Sequence, residues 1–271
     1  MKCHQAFAGF LLASLAALAT APSFASCSRT LRLAWEDWPP YSIEGPDGAP
    51  QGLDIELISR IAAEAGCKLE YIKGVPSKRQ QYYLRQGSLD VQFAASDVAE
   101  RHAYAWFSLP YRTEIIRLFA RPGEAARYPI KDLAELATRK WTLIAPHSGW
   151  FGARYESLKP VLAAERRLSA HYSNWLALQM LEARRGDLLL GDYYAVIHTK
   201  RVSGETPLDV LPVAVNEEPV HLMLSRKSLT PADVDAINAA IERLAKRGVL
   251  EDIANRYGVK PLHDKATRER R

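Results

Sequence analysis

Cysteine and methionine are scarce, with three of each in 271 residues. No Cys/His spacing of a zinc site, no glycine-rich phosphate loop and no strand–nucleophile–helix elbow occurs in the chain. The seven histidines form no constellation with a cysteine or serine. These absences remove the enzyme classes that declare themselves by local motifs, although a triad assembled in space leaves no such trace. The sequence therefore predicts no catalytic residues, no metal and no cofactor. Long apolar runs are also lacking beyond the N-terminus. Phe7 to Ala19 is short of the ~20 residues needed to span a bilayer. It follows Lys2 and precedes Ser23-Phe24-Ala25, the pattern of a cleaved secretory signal over residues 1–25. A lipoprotein reading through Phe24-Ala25-Ser26-Cys27 is the weaker alternative, because an aliphatic residue is usual where Phe24 stands.

Export shapes the next expectations. Cleavage removes Cys3 and leaves Cys27 and Cys67, which an oxidising compartment favours as one disulfide over two free thiols. Each precedes an apolar run, Leu31–Trp35 and Leu69–Ile72. Neighbouring parallel strands there would put both sulfurs at one end of a sheet. The formal charge is +5, but an exported chain makes nucleic acid an improbable partner. The densest basic run, Lys265 to Arg271, reads as part of a solvated tail over residues 259–271.

Strand and helix patterns alternate, which predicts an α/β fold with parallel sheets. Strands are expected at Thr30–Trp35, Leu69–Ile72, Leu89–Ala94, Ile115–Ala120, Trp141–Ala145, Leu188–Leu190, Asp209–Val215 and Val220–Leu224. Ile43 to Gln51 reads as a turn. Helices are expected at Gly52–Ala65, Ser77–Gln86, from Thr230-Pro231, and at Leu250–Tyr257, with a helical turn at Lys131–Leu136. Leu84 to Asp90 and Glu182 to Leu188 repeat one order: helix, capping glycine, aspartate, strand. The echo suggests two related lobes.

The string Gly52-Leu53-Asp54-Ile55-Glu56-Leu57, with Ile61, Ala62 and Ala65, puts Leu53, Leu57, Ile61 and Ala65 on one helical face. Its acids Asp54 and Glu56 occupy the first turn, where the helix dipole favours negative charge. The string resembles the signature of the family 3 bacterial solute-binding proteins, the periplasmic receptors for polar amino acids. The resemblance implies a two-lobed periplasmic binding protein type II fold. The first lobe would be residues 26–120 plus 217–258, the second 121–216, and the hinge two crossings near Leu118–Arg121 and Val213–Asn216.

The same resemblance implies a ligand set. Ser96-Asp97-Val98-Ala99-Glu100-Arg101, followed by Phe107-Ser108-Leu109-Pro110-Tyr111, is similar to the segment in which an arginine holds the ligand's α-carboxylate. Arg101 would do so here, with Ser96 beside it. A guanidinium fork matches a carboxylate bidentately. The usual threonine is replaced by Val98, and Asp97 adds an acid that would face either the ligand or solvent. Asp192, after a buried strand, would pair the α-ammonium or cap the next helix. Trp38 and Tyr41 resemble the aromatic wall of such receptors, with the lobe core as the other place for Trp38. Glu36 and Asp37 are read as solvent-facing. Ser148-Gly149-Trp150 would open a helix, with Ser148 a second carboxylate contact and Trp150 a lid.

The expectation is a non-enzymatic, monomeric periplasmic receptor that delivers an amino acid or similar small polar solute to an inner-membrane ABC permease. An exported dehydratase of the cyclohexadienyl type, with Asp97 or Glu36 as its acid, and a soluble ligand sensor are the alternatives.

Overall fold

The computed structural model describes residues 27–262. The expected signal peptide and most of the basic tail lie outside them. The chain opens with β1 (Leu31–Trp35), a small hairpin of β2 (Ile43–Glu44) and β3 (Pro50–Gln51), α1 (Leu53–Glu64), β4 (Leu69–Lys73), α2 (Ser77–Gln86), β5 (Val91–Ala95), β6 (Ala105–Phe107) and β7 (Arg112–Ala120). It continues through β8 (Leu143–Pro146), α3 (Ala153–Ala164), β9 (Leu168–His171), α4 (Asn174–Glu182), β10 (Leu188–Asp192) and α5 (Tyr193–Val202), and closes with β11 (Asp209–Ser225), α6 (Pro231–Lys246) and α7 (Val249–Arg256). Short 3-10 turns cover Ala99–Ala103 and Leu133–Ala137. Among the described residues no helix is long and apolar enough to cross a membrane.

The strand order is β4-β1-β5-β11-β7-β10-β8-β9, with β6 also on β11. The β4–β1–β5 and β10–β8–β9 groups are parallel, as the alternating pattern requires. They are joined through the antiparallel pair β7 and β11, two long strands that cross from one half to the other. Separate apolar clusters lie on either side. One packs Leu33, Leu57, Ile61, Leu222, Ile237 and Ile241. The other packs Ile116, Leu118, Leu143, Leu162, Leu190 and Val213. The fold is thus a two-lobed α/β architecture with two crossing strands.

Several local expectations change. Asp209–Val215 and Val220–Leu224 are one strand. β5 and β6 join β11 only from His221 and Met223 onward. At Pro219 one edge of the strand is therefore unpaired, the setting in which proline is tolerated. The predicted turn at Ile43–Gln51 contains the hairpin β2–β3. The internal echo is real but differs in detail. Asp90 donates its N–H to Arg32 O (2.9 Å) and accepts Arg32 N–H (2.8 Å). Asp187 does the same with Thr142 (2.9 and 2.7 Å). Each aspartate pins the start of the neighbouring strand. Gly87 caps α2 with φ 73°, whereas α4 ends earlier, at Ala183, so Gly186 is not its cap. Gly186 instead allows close approach: an added Cβ would sit 2.5 Å from Ile144 Cγ1.

Cys27 and Cys67 form a disulfide at the same end of the paired strands β1 and β4, with Cα atoms 4.9 Å apart. Next to it, Ser28 donates from N–H and hydroxyl to Asp233, which also closes the capping box of α6 with Thr230. The N-terminus of the described chain is thereby tied to the last third. The beginning of the expected tail is held too. Val259 is buried, and Lys260 donates its N–H to the Tyr194 hydroxyl (2.8 Å) and its ammonium to Glu217 (2.8 Å).

Candidate functional site

The loop after β1 sets one side of the site. Leu53 N–H donates to Pro40 O and Asp54 N–H to Tyr41 O, both at 2.9 Å. The first turn of α1 is thus satisfied by this loop's carbonyls. Gly52 makes the approach possible, with φ 120° and a hypothetical Cβ 2.7 Å from Tyr41 O. Tyr41 is fully buried, and Trp38 packs half-buried on it with ring centroids 4.4 Å apart. The expected aromatic wall is corrected accordingly: Tyr41 lies inside the lobe core, and only Trp38 keeps an exposed edge.

Beneath these rings lies an ion pair that the sequence did not reveal. Arg112 donates from Nε and Nη2 to the two carboxylate oxygens of Asp54, at 2.6 and 2.8 Å, with both side chains essentially inaccessible. The Arg112 guanidinium is 4.1 Å from the Tyr41 ring centroid, where it gains from the π face. Asp54 was read as a dipole-compensating acid. Its place at the centre of α1's buried face makes it the counter-ion of Arg112 instead.

Asp192 ends β10 and accepts the N–H of Ala195 (2.8 Å), so it caps α5 as the alternative reading held. Its Oδ1 also accepts the Tyr41 hydroxyl (2.8 Å), which joins the two lobes. Its Oδ2 is buried and takes no hydrogen bond. Burial raises the Asp192 pKa to about 6, against the pull of Arg112. Glu114, 6% exposed, lies on β7 two residues beyond Arg112. Burial and then the negative charge of Asp192 push it up to about 8.

Arg101 lies in the 3-10 turn after β5. Its Nη1 donates to Ser96 O (3.0 Å), and among the described residues it makes no ion pair. Desolvation lowers its pKa, while Glu100, Glu114 and Glu156 act in the opposite sense. Ser96 is buried and supports Arg101 through its carbonyl. Asp97 is exposed and pairs with His102 Nε2 at 2.5 Å, so it faces solvent. Glu36 is partly buried and accepts the N–H of Ser77 at the start of α2, while Asp37 accepts the N–H of Glu44. Neither acid offered for a dehydratase is directed at Arg101.

On the second lobe, α3 begins at Ala153 with Gly152 as its N-cap. Ser148-Gly149-Trp150 therefore does not open the helix. Gly149 (φ 124°) and Gly152 (φ 95°) hold these residues in a preceding loop, where Ser148 and Trp150 are half-exposed. Gly152 lies against Asn216, whose side chain a Cβ would meet at 2.8 Å. Asn216 Nδ2 and Glu156 Oε1 are buried without hydrogen-bond partners. A buried polar atom without a partner costs roughly 1–3 kcal/mol. Asp192, Asn216 and Glu156 carry three such atoms, on β10, β11 and α3. Arg101 adds an unpaired cation. These groups together suit a small molecule bearing both signs of charge. A separate apolar cavity of about 180 Å³, bounded by Pro110, Ile241, Leu250 and Leu262, has walls from the first lobe and C-terminal segment alone.

Solved structures share this architecture. A histidine kinase sensor domain with similarity to periplasmic binding proteins superposes with a TM-score of 0.72 and 22% identity, covering 86% of this chain and 98% of its own. The GluR0 ligand-binding core in complex with L-glutamate gives 0.69 and 17%, covering 85% and 98%. An ancestral amino acid-binding protein, a precursor of cyclohexadienyl dehydratase, gives 0.68 and 19%, covering 84% and 94%. No curated protein sequence matches the chain. The sequence profile of the bacterial extracellular solute-binding proteins, family 3, matches residues 31–260, and the chain belongs to that family.

Proposed function

We propose that this protein is a periplasmic receptor that captures an amino acid, or a similar small zwitterion, between its lobes and delivers it to an ABC importer. Its lobes would be residues 26–120 with 217–258, and residues 121–216, and it would act as a monomer without catalysis. The observation that carries this reading is the combination of an unpaired guanidinium on Arg101 with the buried, unpartnered Oδ2 of Asp192. Arg101 takes the carboxylate and Asp192 the ammonium. Trp38 borders the side chain, and Tyr41 holds Asp192 in place. Ser96 steadies Arg101, while Ser148 and Trp150 approach from the second lobe's loop. Pairing both charges in a desolvated cleft supplies affinity, because each group is costly when left unpaired.

A thermal-shift screen with the twenty amino acids, polyamines and small carboxylates tests the reading, since ligand binding to the native state raises its apparent stability. Arg101→Ala is expected to abolish the shift given by a carboxylate ligand and to leave the unliganded melting point nearly unchanged. A large fall in the unliganded melting point would instead mark Arg101 as structural. Glu114, a buried acid whose pKa burial and the charge of Asp192 push up to about 8, favours a second reading as a dehydratase. Turnover of prephenate or arogenate would establish it.

A further inference from the structure

Strand register brings three acids and an amide to one face of the sheet. Ile116 of β7 is opposite Asp192 on β10 and Asn216 on β11, and Glu114 is opposite Glu218. Paired residues share a face and alternate residues return to it. Glu114, Asp192, Asn216 and Glu218 therefore project together. Glu114 and Asp192 are diagonal neighbours, a relation that spans about 7–8 Å and remains within reach of long side chains. One ammonium can bridge two such carboxylates at about 2.8 Å from each.

Among the described residues Glu114 takes no side-chain hydrogen bond and no ion pair, and Asp192 Oδ2 is likewise unengaged. The charges that act on Glu114 are those of Asp192 on β10, Arg112 on its own strand, Asp54 on α1 and Glu218 on β11. Arg101, in the 3-10 turn, feels the negative charge of both Glu114 and Glu156 of α3. Arg112 is committed to Asp54 in a bidentate pair. Two adjacent buried carboxylates that make no ion-pair contact cannot both ionise cheaply. A ligand cation supplies what they lack.

We propose that Glu114 is the second acceptor for the cationic group of the captured ligand, and that it gives up a proton to solvent as that group arrives. The inference rests on the receptor reading and narrows the ligand to molecules with a protonated amine. The balance is simple. The carboxyl O–H bond breaks, its proton passes to the buffer, and the freed carboxylate accepts an N–H from the ligand, which keeps its charge. Release of one proton per ligand makes affinity rise up to tenfold per pH unit. The rise ends near the value to which Glu114 is pushed, about 8, and steepens below about 6, where Asp192 must lose its proton as well.

Isothermal titration calorimetry at pH 7 with the twenty L-amino acids and putrescine tests this, each binder being repeated in phosphate and in Tris. Close to one proton released per ligand is expected. In Glu114→Gln, affinity falls about tenfold or more and proton release drops towards zero. Heat that does not depend on the buffer overturns the inference and leaves the receptor reading standing. An unchanged proton count in Glu114→Gln does the same. Binding by none of the probes overturns the receptor reading and this inference with it. A carboxyl carbon-13 NMR titration of the unliganded wild type needs no variant. It should show one glutamate titrating above pH 7, and finding all of them below pH 6 overturns the inference.

Discussion

Arg112 and Asp54 show how far a residue's role depends on partners distant in the chain. They are 58 residues apart, yet they form a bidentate pair with almost no exposure. Removing one member leaves the other charged and buried, so Arg112→Ala is expected to cost about 3–5 kcal/mol in chemical denaturation. The double variant Asp54→Leu with Arg112→Met should lose less than the single one, because no charge remains to be desolvated. The sequence placed Asp54 in a family signature but offered only the helix dipole as its partner. Arg101 and Asp192 were singled out as candidate ligand contacts because short motifs mark them. Glu114 was not, because charged residues at the start of an apolar strand look like solvent-facing ones until their neighbours are known.

At the scale of elements, the apolar repeat of Leu53, Leu57, Ile61 and Ala65 correctly placed α1 against the core. What ties α1 to the site is its entrance. Gly52 has φ 120°, and any side chain there would meet the carbonyls of Pro40 and Tyr41. Gly52→Ala is expected to destabilise by about 1–3 kcal/mol from backbone strain alone, with the steric clash adding to this. Thermal unfolding measures the total. Because the loop carries Trp38 and Tyr41, the same substitution should also weaken ligand binding. The helix start predicted at Ser148 failed for a related reason. Two glycines with positive φ hold the chain in a loop until Gly152, and a local reading cannot distinguish that loop from a first helical turn.

For the whole molecule, the disulfide and the crossing strands decide how the halves behave. Cys27–Cys67 closes a 40-residue separation. The chain-entropy account gives about 4 kcal/mol of stabilisation for a loop of that size. Reduction, or Cys27→Ser with Cys67→Ser, should lower the melting point clearly while leaving ligand affinity nearly intact, since the bond lies in the first lobe away from Arg101 and Asp192. A collapse of binding at temperatures where the fold persists would show that the bond shapes the site. Tyr41–Asp192 joins the two lobes and Lys260–Tyr194 ties the start of the tail to α5, contacts between distant chain segments that would have to change if the lobes parted to admit a ligand.

The sequence by itself determined the α/β alternation, most helices and strands, the partners of the disulfide, and the family to which the chain belongs. All of these rest on periodicity and on motifs a few residues long. Tertiary structure alone decided that Tyr41 packs its ring on Arg112 instead of lining a wall, that Asp97 turns to solvent, and that Glu114 is a diagonal neighbour of Asp192. The physical reason is that burial and charge pairing act through space. Tyr41 and Asp192 are 151 positions apart, and a carboxylate's chemistry follows from what the fold sets within a few ångströms of it.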